Sequence, residues 1–539
     1  MKSEQKRSFV RGAAILGLAG LVCKVIGALF RIPLYNLLED GMAYYEAVYP
    51  YYSWLLVVSS AGIPTAISRM VAERVAMGDH AGARRVFRRA QALLVGIGLV
   101  TTLIMFFGAG WFASLVEVGE GVVLSFRALA PALLFVSVMC AYRGYLQGLQ
   151  CMSGTAVSQL VEQVVKLVAG LFFAAKLLPM GLEYAAMGAL LGISLSELLA
   201  LAVIALFYVR RRRMLPDMAA ARAAAQEEGV IRSLLAIAVP VTIGASIMPM
   251  TGIIDSVLIV STLRDIGFSD AEANLRYVAL RTNVTTVINM PAVLTTSLAM
   301  SLVPAVSAAR RRHSIGSVRS ISVTAIKLSM IVGLPCAAGL FVLSEQVIDF
   351  LYDITPDRLA IAASLMRISS VGVVFLSLVQ TLTGVIQGLG KQQVPVINLA
   401  LGAAAKVALM LALMHDPAIN IDGAAIATVA CYAVAGLLDL FYLVRLARLS
   451  LNVWDLFGKP LLASLLMGGV TFLAEAALSY ALGSTSLTTL LSVGVGVLVY
   501  GALVLLLRMF SAEDLARIPG GARLSRLLYG ARPKEGSRG

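Results

Sequence analysis

Two stretches of this sequence, FVSVMCAYRGYLQGLQ at 135–150 and FLSLVQTLTGVIQGLG at 375–390, match without a gap at an offset of 240 residues. The coinciding residues include Phe135/Phe375, Ser137/Ser377, Gly144/Gly384, Gln147/Gln387 and Gly148/Gly388. The same offset pairs Arg127 with Arg367, Lys166 with Lys406, and Pro64 with Pro304. Shared apolar residues would mean little in a hydrophobic chain, but shared Arg, Lys, Gln and Pro at one offset indicate an internal duplication.

The composition predicts that the duplicated unit is a set of membrane-spanning helices. The chain has 539 residues, of which 59% are hydrophobic and 14% charged, and its mean hydropathy is +0.87. A soluble protein needs more charge to cover its surface, whereas apolar runs long enough to cross a bilayer recur here along almost the whole chain. We predict fourteen spans, near 9–35, 43–73, 86–113, 122–148, 153–178, 182–209, 231–261, 277–306, 317–343, 360–388, 392–414, 421–445, 455–481 and 485–508.

The charged loops predict the orientation. Loops rich in Lys and Arg, such as 74–89 and 310–319, alternate with acidic loops such as 265–272 and 345–357. Because cytoplasmic loops carry the excess of Lys and Arg, we expect a multi-pass protein of a bacterial cytoplasmic membrane with both termini in the cytoplasm. The basic cytoplasmic loops, which would lie against anionic lipid headgroups, account for the net charge of +14. The positive charge therefore does not indicate nucleic-acid binding. The basic N-terminus lacks a signal-peptide cleavage site and is interpreted as part of a retained first helix.

Six spans fall in each half of the repeat, and an even number gives both halves the same orientation. The sequence therefore predicts a parallel repeat, in which two six-helix lobes enclose a cleft near the midplane of the bilayer. The predicted divisions are an N-lobe at 1–215, a cytoplasmic linker at 216–230, a C-lobe at 231–448, a helical hairpin at 449–510 and a basic cytoplasmic tail at 511–539.

Motifs of enzymes and metal sites are missing from the sequence. It contains no Walker A box, no HExxH and no nucleophile elbow, and its three histidines form no cluster. Five scattered cysteines show no metal-ligand spacing (Cys23, Cys140, Cys151, Cys336 and Cys431). We therefore expect a transporter without a cofactor or a metal, and not an enzyme.

Charged residues inside the spans are the candidate site, because a charge near the bilayer centre costs roughly 2.5–3.5 kcal/mol unless it faces a cavity or a partner. Lys24 and Arg31 lie two helical turns apart and share one face of the first span. Most of the other candidates are also cations. Since Arg presents forked donors that fit phosphate oxygens, these residues predict a cavity for phosphate or pyrophosphate. The predicted substrate-binding residues are Lys24, Arg31, Arg143, Gln147, Lys166, Arg281 and Lys406.

Several of these residues have an alternative interpretation. Arg143 could instead extend to the cytoplasmic edge of the membrane, and Glu162 could pair with Lys166 one turn away. Glu46 lies in an aromatic run at 44–52 that is equally typical of a membrane interface.

Three further positions are candidates for coupling and for motion. Asp255 follows two prolines in the seventh span and, with Glu46, is a candidate for ion coupling. Pro64 and Pro304 are either static kinks or hinges that bend during transport.

The stretches AGLVCKVIGALFRIPLYNLL at 19–38, YPYYSWLLVVSSAGIPTAISRMVAER at 49–74 and GYLQGLQ at 144–150 resemble the stage V sporulation protein B branch of the multidrug/oligosaccharidyl-lipid/polysaccharide (MOP) exporter superfamily. The resemblance covers essentially the whole chain and implies a fold like that of the multidrug (MATE) exporters. It also implies that Lys24 and Arg31 bind pyrophosphate, as the first-helix arginines do in related lipid II flippases.

The function implied by the resemblance is the flipping of a polyprenyl-pyrophosphate-linked saccharide, such as lipid II for the spore cortex, by alternating access. Membrane lipids, and cell-wall synthesis enzymes, are the other expected partners. Within the same fold, the alternatives are a drug/cation antiporter, which needs an acidic cavity, and a flippase for O-antigen or exopolysaccharide repeat units. Outside it, the alternatives are a membrane glycosyltransferase or polymerase, and a scaffold that recruits wall enzymes.

Overall fold

The structure is a computed structural model that describes residues 2–116, 118–213, 229–483 and 485–509. Within these ranges the chain forms helices and turns, with no strand. The predicted linker lies almost wholly outside the described residues, and the predicted tail at 511–539 lies wholly outside them, so both stay predictions.

The α-helices are α1 (Lys2–Leu38), α2 (Met42–Ser60), α3 (Ile63–Ala76), α4 (His80–Phe107), α5 (Ala109–Val116), α6 (Val122–Gly148), α7 (Met152–Leu177), α8 (Leu182–Arg213), α9 (Val230–Asp265), α10 (Asp270–Val278), α11 (Thr285–Arg311), α12 (Ile315–Val342), α13 (Ser344–Leu351), α14 (Pro356–Gly388), α15 (Gln393–Leu413), α16 (Asp422–Ala447), α17 (Lys459–Leu482) and α18 (Ser486–Leu506). A π-helical segment, Ala279–Val284, joins α10 to α11. A second π-helical segment, Trp454–Gly458, precedes α17.

The expectation of an all-helical, multi-span membrane protein is confirmed. In the described part of the chain, 12 segments are long and apolar enough to cross a membrane. One of them, Ala19–Ala76, contains the second predicted span and residues 19–35 of the first, and α7 is not among the twelve. The count of fourteen spans therefore stays a prediction.

The repeat is visible in the helix boundaries. Helices α6 and α14 end at Gly148 and Gly388, and α8 and α16 begin at Leu182 and Asp422, so the offset found in the sequence is kept. The helices α5 and α13, both short, follow the equivalent helices α4 and α12. Helices α17 and α18 pack against α12, where Lys327 lies 2.7 Å from Asp455.

Glycines of the repeated stretch lie where two helices make close contact. A Cβ atom on Gly144 would lie 2.8 Å from the carbonyl oxygen of Pro64, so α6 touches the backbone of α3. In the second half, a Cβ atom on Gly384 would lie 2.7 Å from the carbonyl oxygen of Ala299, so α14 touches α11. Small residues allow such approach between membrane helices, which explains why both halves carry glycine here.

We expect the Gly384→Ala substitution to lower the free energy of unfolding by about 1–3 kcal/mol, since the added methyl group overpacks a contact with backbone. Thermal unfolding of the purified protein in detergent would show the loss. Gly469→Ala is the matched control, because a Cβ atom at this position in α17 has no atom within 4 Å. Equal melting temperatures for both variants would contradict the close contact between α11 and α14.

One line of contact between the two predicted lobes runs along α9, and we call it the α2–α9 seam (Ala61, Gly62, Ala238 and Thr242). The hydroxyl of Thr242 donates a hydrogen bond to the carbonyl oxygen of Ala61 at 2.7 Å. The chain bends at Gly62, where φ is +74° and a Cβ atom would lie 2.7 Å from the carbonyl oxygen of Ala238. Only glycine combines that backbone conformation with that approach.

A second group of contacts between the lobes lies at the end of the bundle that carries the acidic loops, and we call it the acidic-end contacts. Arg358 and Asp40 form an ion pair at 2.8 Å. The side chain of Asn36 donates to the carbonyl oxygen of Leu351 at 3.4 Å and accepts from the backbone N–H of Asp353 at 3.2 Å. These contacts join the end of α1 to the segment that leads into α14.

The two candidate hinge prolines have different surroundings. The second predicted span is two helices, and Pro64 lies in the first turn of α3, after the bend at Gly62, where proline fits a helix start. Pro304 lies inside the continuous helix α11. A hinge role for either residue stays a prediction.

Candidate substrate cavity

A polar cavity of about 540 Å³ lies between the lobes, with walls from α1, α2, α9, α11, α14, α15 and α16. Four of the predicted binding residues, and one of the two predicted coupling residues, line it. These are Lys24, Arg31, Arg281, Lys406 and Asp255. Since they come from both halves of the chain, folding brings together residues that are as much as 382 positions apart.

Arg31 is held by a carboxylate and by aromatic rings. Its guanidinium lies 3.1 Å from Glu46, whose side chain is completely buried. The guanidinium carbon also lies 5.5 Å from the ring centre of Tyr49, and an aromatic face attracts such a cation. Arg31 therefore enters the cavity in a fixed position.

Glu46 connects the lobes. It belongs to α2, but its carboxylate accepts a hydrogen bond from the hydroxyl of Thr282 at 3.1 Å, and its main-chain oxygen accepts one from Tyr277 at 3.2 Å. Thr282 and Tyr277 belong to the second half of the chain. The pair between Glu46 and Arg31 therefore lies buried inside the protein, where the two halves of the chain meet.

The other buried carboxylate is shared by two cations. The ammonium of Lys406 lies 2.7 Å from both carboxylate oxygens of Asp255, and the guanidinium of Arg281 lies 3.5 Å from one of them. Lys406 and Asp255 are only 5% and 4% exposed. Arg281 belongs to the π-helical segment, a feature often found at functional sites.

Lys24 differs from the other cavity cations because, within the described ranges, no carboxylate lies within ion-pair distance of it. It is exposed, and on α1 it precedes Arg31 by seven residues, or about 10 Å of helix. Four cations thus face two carboxylates around this space, so the site has an excess of positive charge.

Three other candidates lie outside the cavity lining. The guanidinium of Arg143 lies 2.8 Å from Glu162, so Glu162 pairs with Arg143 and the expected pair with Lys166 does not form. The ammonium of Lys166 instead lies 5.3 Å from the ring centre of Phe30 and 5.5 Å from that of Tyr49. Gln147 is half-buried in α6, and its side chain has no hydrogen-bond partner among the described residues.

Glu197, a carboxylate of α8 that is 6% exposed, was not among the predicted site residues. Its Oε2 atom has no hydrogen-bond partner in the described part of the structure. Its position inside an apolar span could have identified it as a candidate, because Lys24 and Arg31 were chosen for the same reason, a charge inside an apolar span. Gln380 and Tyr432 of the cavity wall were also not predicted, because they are uncharged and leave no such signal.

Comparison with known proteins agrees with this architecture. The family described as polysaccharide biosynthesis protein matches residues 9–310, and the MatE family matches residues 274–411. Stage V sporulation protein B of Bacillus subtilis (strain 168) is 24% identical over 521 residues, which cover 96% of this chain and 99% of that protein. The lipid II flippase MurJ of the same organism is 24% identical over 456 residues, which cover 81% of this chain and 82% of that one.

Solved structures share the fold. A structure of the lipid II flippase MurJ in an inward closed conformation has a TM-score of 0.69 and 15% identity, and the match covers 94% of this chain and all of that one. An inward-facing MATE transporter of the MOP superfamily has a TM-score of 0.65 and 15% identity, with 79% of this chain and 94% of that chain covered. The family match covers more than half of the sequence, and relatives whose names state an activity are transporters or flippases. The chain therefore belongs to the polysaccharide biosynthesis protein family, and it shares a multi-pass helical fold with transporters of the MOP superfamily.

Proposed function

We propose that this protein moves a polyprenyl-pyrophosphate-linked saccharide from the inner to the outer leaflet of a bacterial cytoplasmic membrane. The lipid II flippase among its relatives supports a peptidoglycan precursor as the cargo. The sporulation protein among them supports a role in making the spore cortex.

The observation that carries this proposal is the excess of cations at the cavity between the lobes. Arg31 and Arg281 provide forked donors, and Lys24 provides an ammonium with no carboxylate partner in the described structure. A pyrophosphate has several charged oxygens that such donors can bind. An antiporter for cationic drugs would need the opposite charge, so the same observation disfavours that alternative.

The conformation supports alternating access with the basic loops, and hence both termini, in the cytoplasm. The acidic-end contacts hold the lobes together on one side of the cavity. Lys24 is exposed towards the other side, where the substrate head would enter. The polyprenyl chain would stay in the bilayer while the head crosses.

Substrate binding would also trigger the change of conformation. A pyrophosphate that binds Arg31 competes with Glu46, which is hydrogen-bonded to Thr282 of the other lobe. Loss of that junction would allow the lobes to separate at the acidic end. Glu46 and Asp255 remain the candidates for ion coupling, although a coupling cation would have to compete with Arg31 at the first and with Lys406 at the second.

We expect the Lys24→Met substitution to slow flipping by about tenfold, the effect of losing one charge-assisted hydrogen bond of 1.5 kcal/mol or more. Lys24 is the cleanest cation to test because its removal leaves no carboxylate unpaired. The measurement is the rate at which purified protein in lipid vesicles exposes a polyprenyl-pyrophosphate disaccharide on the opposite leaflet.

Lys176→Met is the matched control, since Lys176 is exposed near the end of α7 and does not line the cavity. Depletion of the protein in cells should lower the amount of precursor in the outer leaflet. Wild-type vesicles that flip no faster than protein-free vesicles would rule out the proposed function.

A further inference from the structure

A second space adjoins the cavity on the side of the C-lobe, and we call it the side chamber. It has a volume of about 340 Å³ and lies between α11 and α14, with contributions from α9, α15 and α16. Met248, Gln380 and Tyr432 line both the cavity and the side chamber, so the two spaces are neighbours. No charged residue is found among the described residues that line the side chamber.

Three polar side chains form a stripe along its wall. Gln380, Thr383 and Gln387 are spaced three and four residues apart on α14, so they share one face of the helix. The side-chain oxygen of Gln380 accepts hydrogen bonds from the hydroxyls of Thr295 and Thr296 at 2.7 and 2.8 Å. These bonds orient the side-chain amide and leave both donors of its nitrogen without a partner among the residues that the structure describes.

The other two members of the stripe are also available. Neither Thr383 nor Gln387 has a side-chain hydrogen-bond partner among the described residues, and Gln387 is exposed. Amide and hydroxyl groups can donate and accept hydrogen bonds without carrying charge. The rest of the wall is apolar and includes Leu376 and Val379.

Uncharged donors and acceptors on an apolar wall fit a neutral polyhydroxylated ligand better than an anion. The charged cavity beside them fits the pyrophosphate. We propose that the side chamber binds the saccharide moiety of the lipid-linked substrate while the cavity cations hold its pyrophosphate. This inference rests on the proposed function and assigns the two parts of one substrate to two neighbouring spaces.

The first half of the repeat lacks an equivalent stripe. The positions that correspond to Gln380, Thr383 and Gln387 are Cys140, Arg143 and Gln147. Arg143 is occupied by its ion pair with Glu162 at 2.8 Å. The asymmetry between the halves therefore places the saccharide on the C-lobe.

The test compares two lipids, a polyprenyl pyrophosphate with a disaccharide attached and the same lipid without the sugar, both titrated onto the full-length protein in nanodiscs. The Gln380→Met/Gln387→Met double variant keeps the size of both side chains and removes both amides. We expect its affinity for the saccharide-bearing lipid to fall about tenfold or more, since two hydrogen bonds are lost. Its affinity for the bare pyrophosphate lipid should not change.

The double variant is expected to fold, because Thr295 and Thr296 can still donate to the carbonyl oxygen of Ala292. Gln393→Met is the matched control, for it removes an exposed amide of α15 in the same half of the chain, which lines neither space, and both affinities should stay as in the wild type.

The outcomes distinguish a failure of the side-chamber assignment from a failure of the proposed function. Equal weakening of both lipids, or no weakening of either, overturns the assignment of the chamber. Wild-type protein that binds the bare lipid as tightly as the saccharide-bearing lipid also overturns it but leaves the pyrophosphate site intact. Wild-type protein that binds neither lipid overturns both proposals.

Discussion

Replacement of Lys406 by methionine should lower the free energy of unfolding by about 3–5 kcal/mol, the usual effect of removing one partner of a buried ion pair. The ammonium of Lys406 lies 2.7 Å from both oxygens of Asp255, and both side chains are buried. The variant would leave that carboxylate with Arg281 alone, at 3.5 Å. Equilibrium unfolding by denaturant in mixed micelles measures the loss.

Two comparisons show whether the loss comes from Asp255. The Asp255→Asn/Lys406→Met double variant should recover part of the stability, because it removes the buried carboxylate and leaves only the guanidinium of Arg281, which is partly exposed, without a carboxylate. Lys166→Met is the matched control from the first half of the repeat, where the ammonium faces the rings of Phe30 and Tyr49. It should lose only about 0.5–2 kcal/mol. A double variant as unstable as Lys406→Met would argue against the buried pair.

The second large effect is expected from the Glu46→Gln substitution, which should tighten the binding of a polyprenyl pyrophosphate by about tenfold or more and slow its flipping. Glutamine can still accept the hydrogen bond from Thr282, but it no longer competes as a charge for Arg31. Charge-assisted hydrogen bonds contribute about 1.5–3 kcal/mol, which corresponds to a factor of ten or more in affinity. Flipping slows because anion binding no longer changes the contact between the lobes.

Titration of the lipid onto the nanodisc-bound protein gives the affinity, and the vesicle assay gives the rate. Asp40→Asn is the matched control, since Asp40 is exposed and pairs with Arg358 away from the cavity. That variant should bind the lipid as the wild type does. Unchanged affinity in Glu46→Gln would mean that Arg31 does not contact the pyrophosphate.

Much of the fold could be predicted because the repeat is carried by contacts between helices. Gly144 and Gly384 match in sequence since each lies against the backbone of another helix. The bend at Gly62 lies next to Pro64, where a kink or a hinge was predicted, whereas the π-helical segment at Ala279–Val284 was not predicted, because it does not change the hydrophobicity of the span in which it lies. An average over a span does not reveal a local change in hydrogen-bonding pattern.

The site could be predicted in part: its charged residues could be found from the sequence, and its uncharged residues could not. A charge inside a membrane span is costly unless it faces a cavity or a partner, and this cost identified Arg31, Arg281 and Lys406, which line the cavity. The same cost could not distinguish them from Arg143, because a sequence does not show whether a charge faces a cavity or a partner on the next helix. Gln380 could not be found at all, since an amide can be buried at little cost when it is hydrogen-bonded.

The α2–α9 seam has a consequence for the path of the lipid. Gly62 has no room for a side chain against Ala238, and Thr242 is hydrogen-bonded to the backbone of Ala61. A long hydrocarbon chain has no passage through so tight a contact. The two lobes would therefore rotate about the seam and separate at the edge away from it. We expect the polyprenyl chain to lie at another edge, between α1 and α11, near the exposed Lys24.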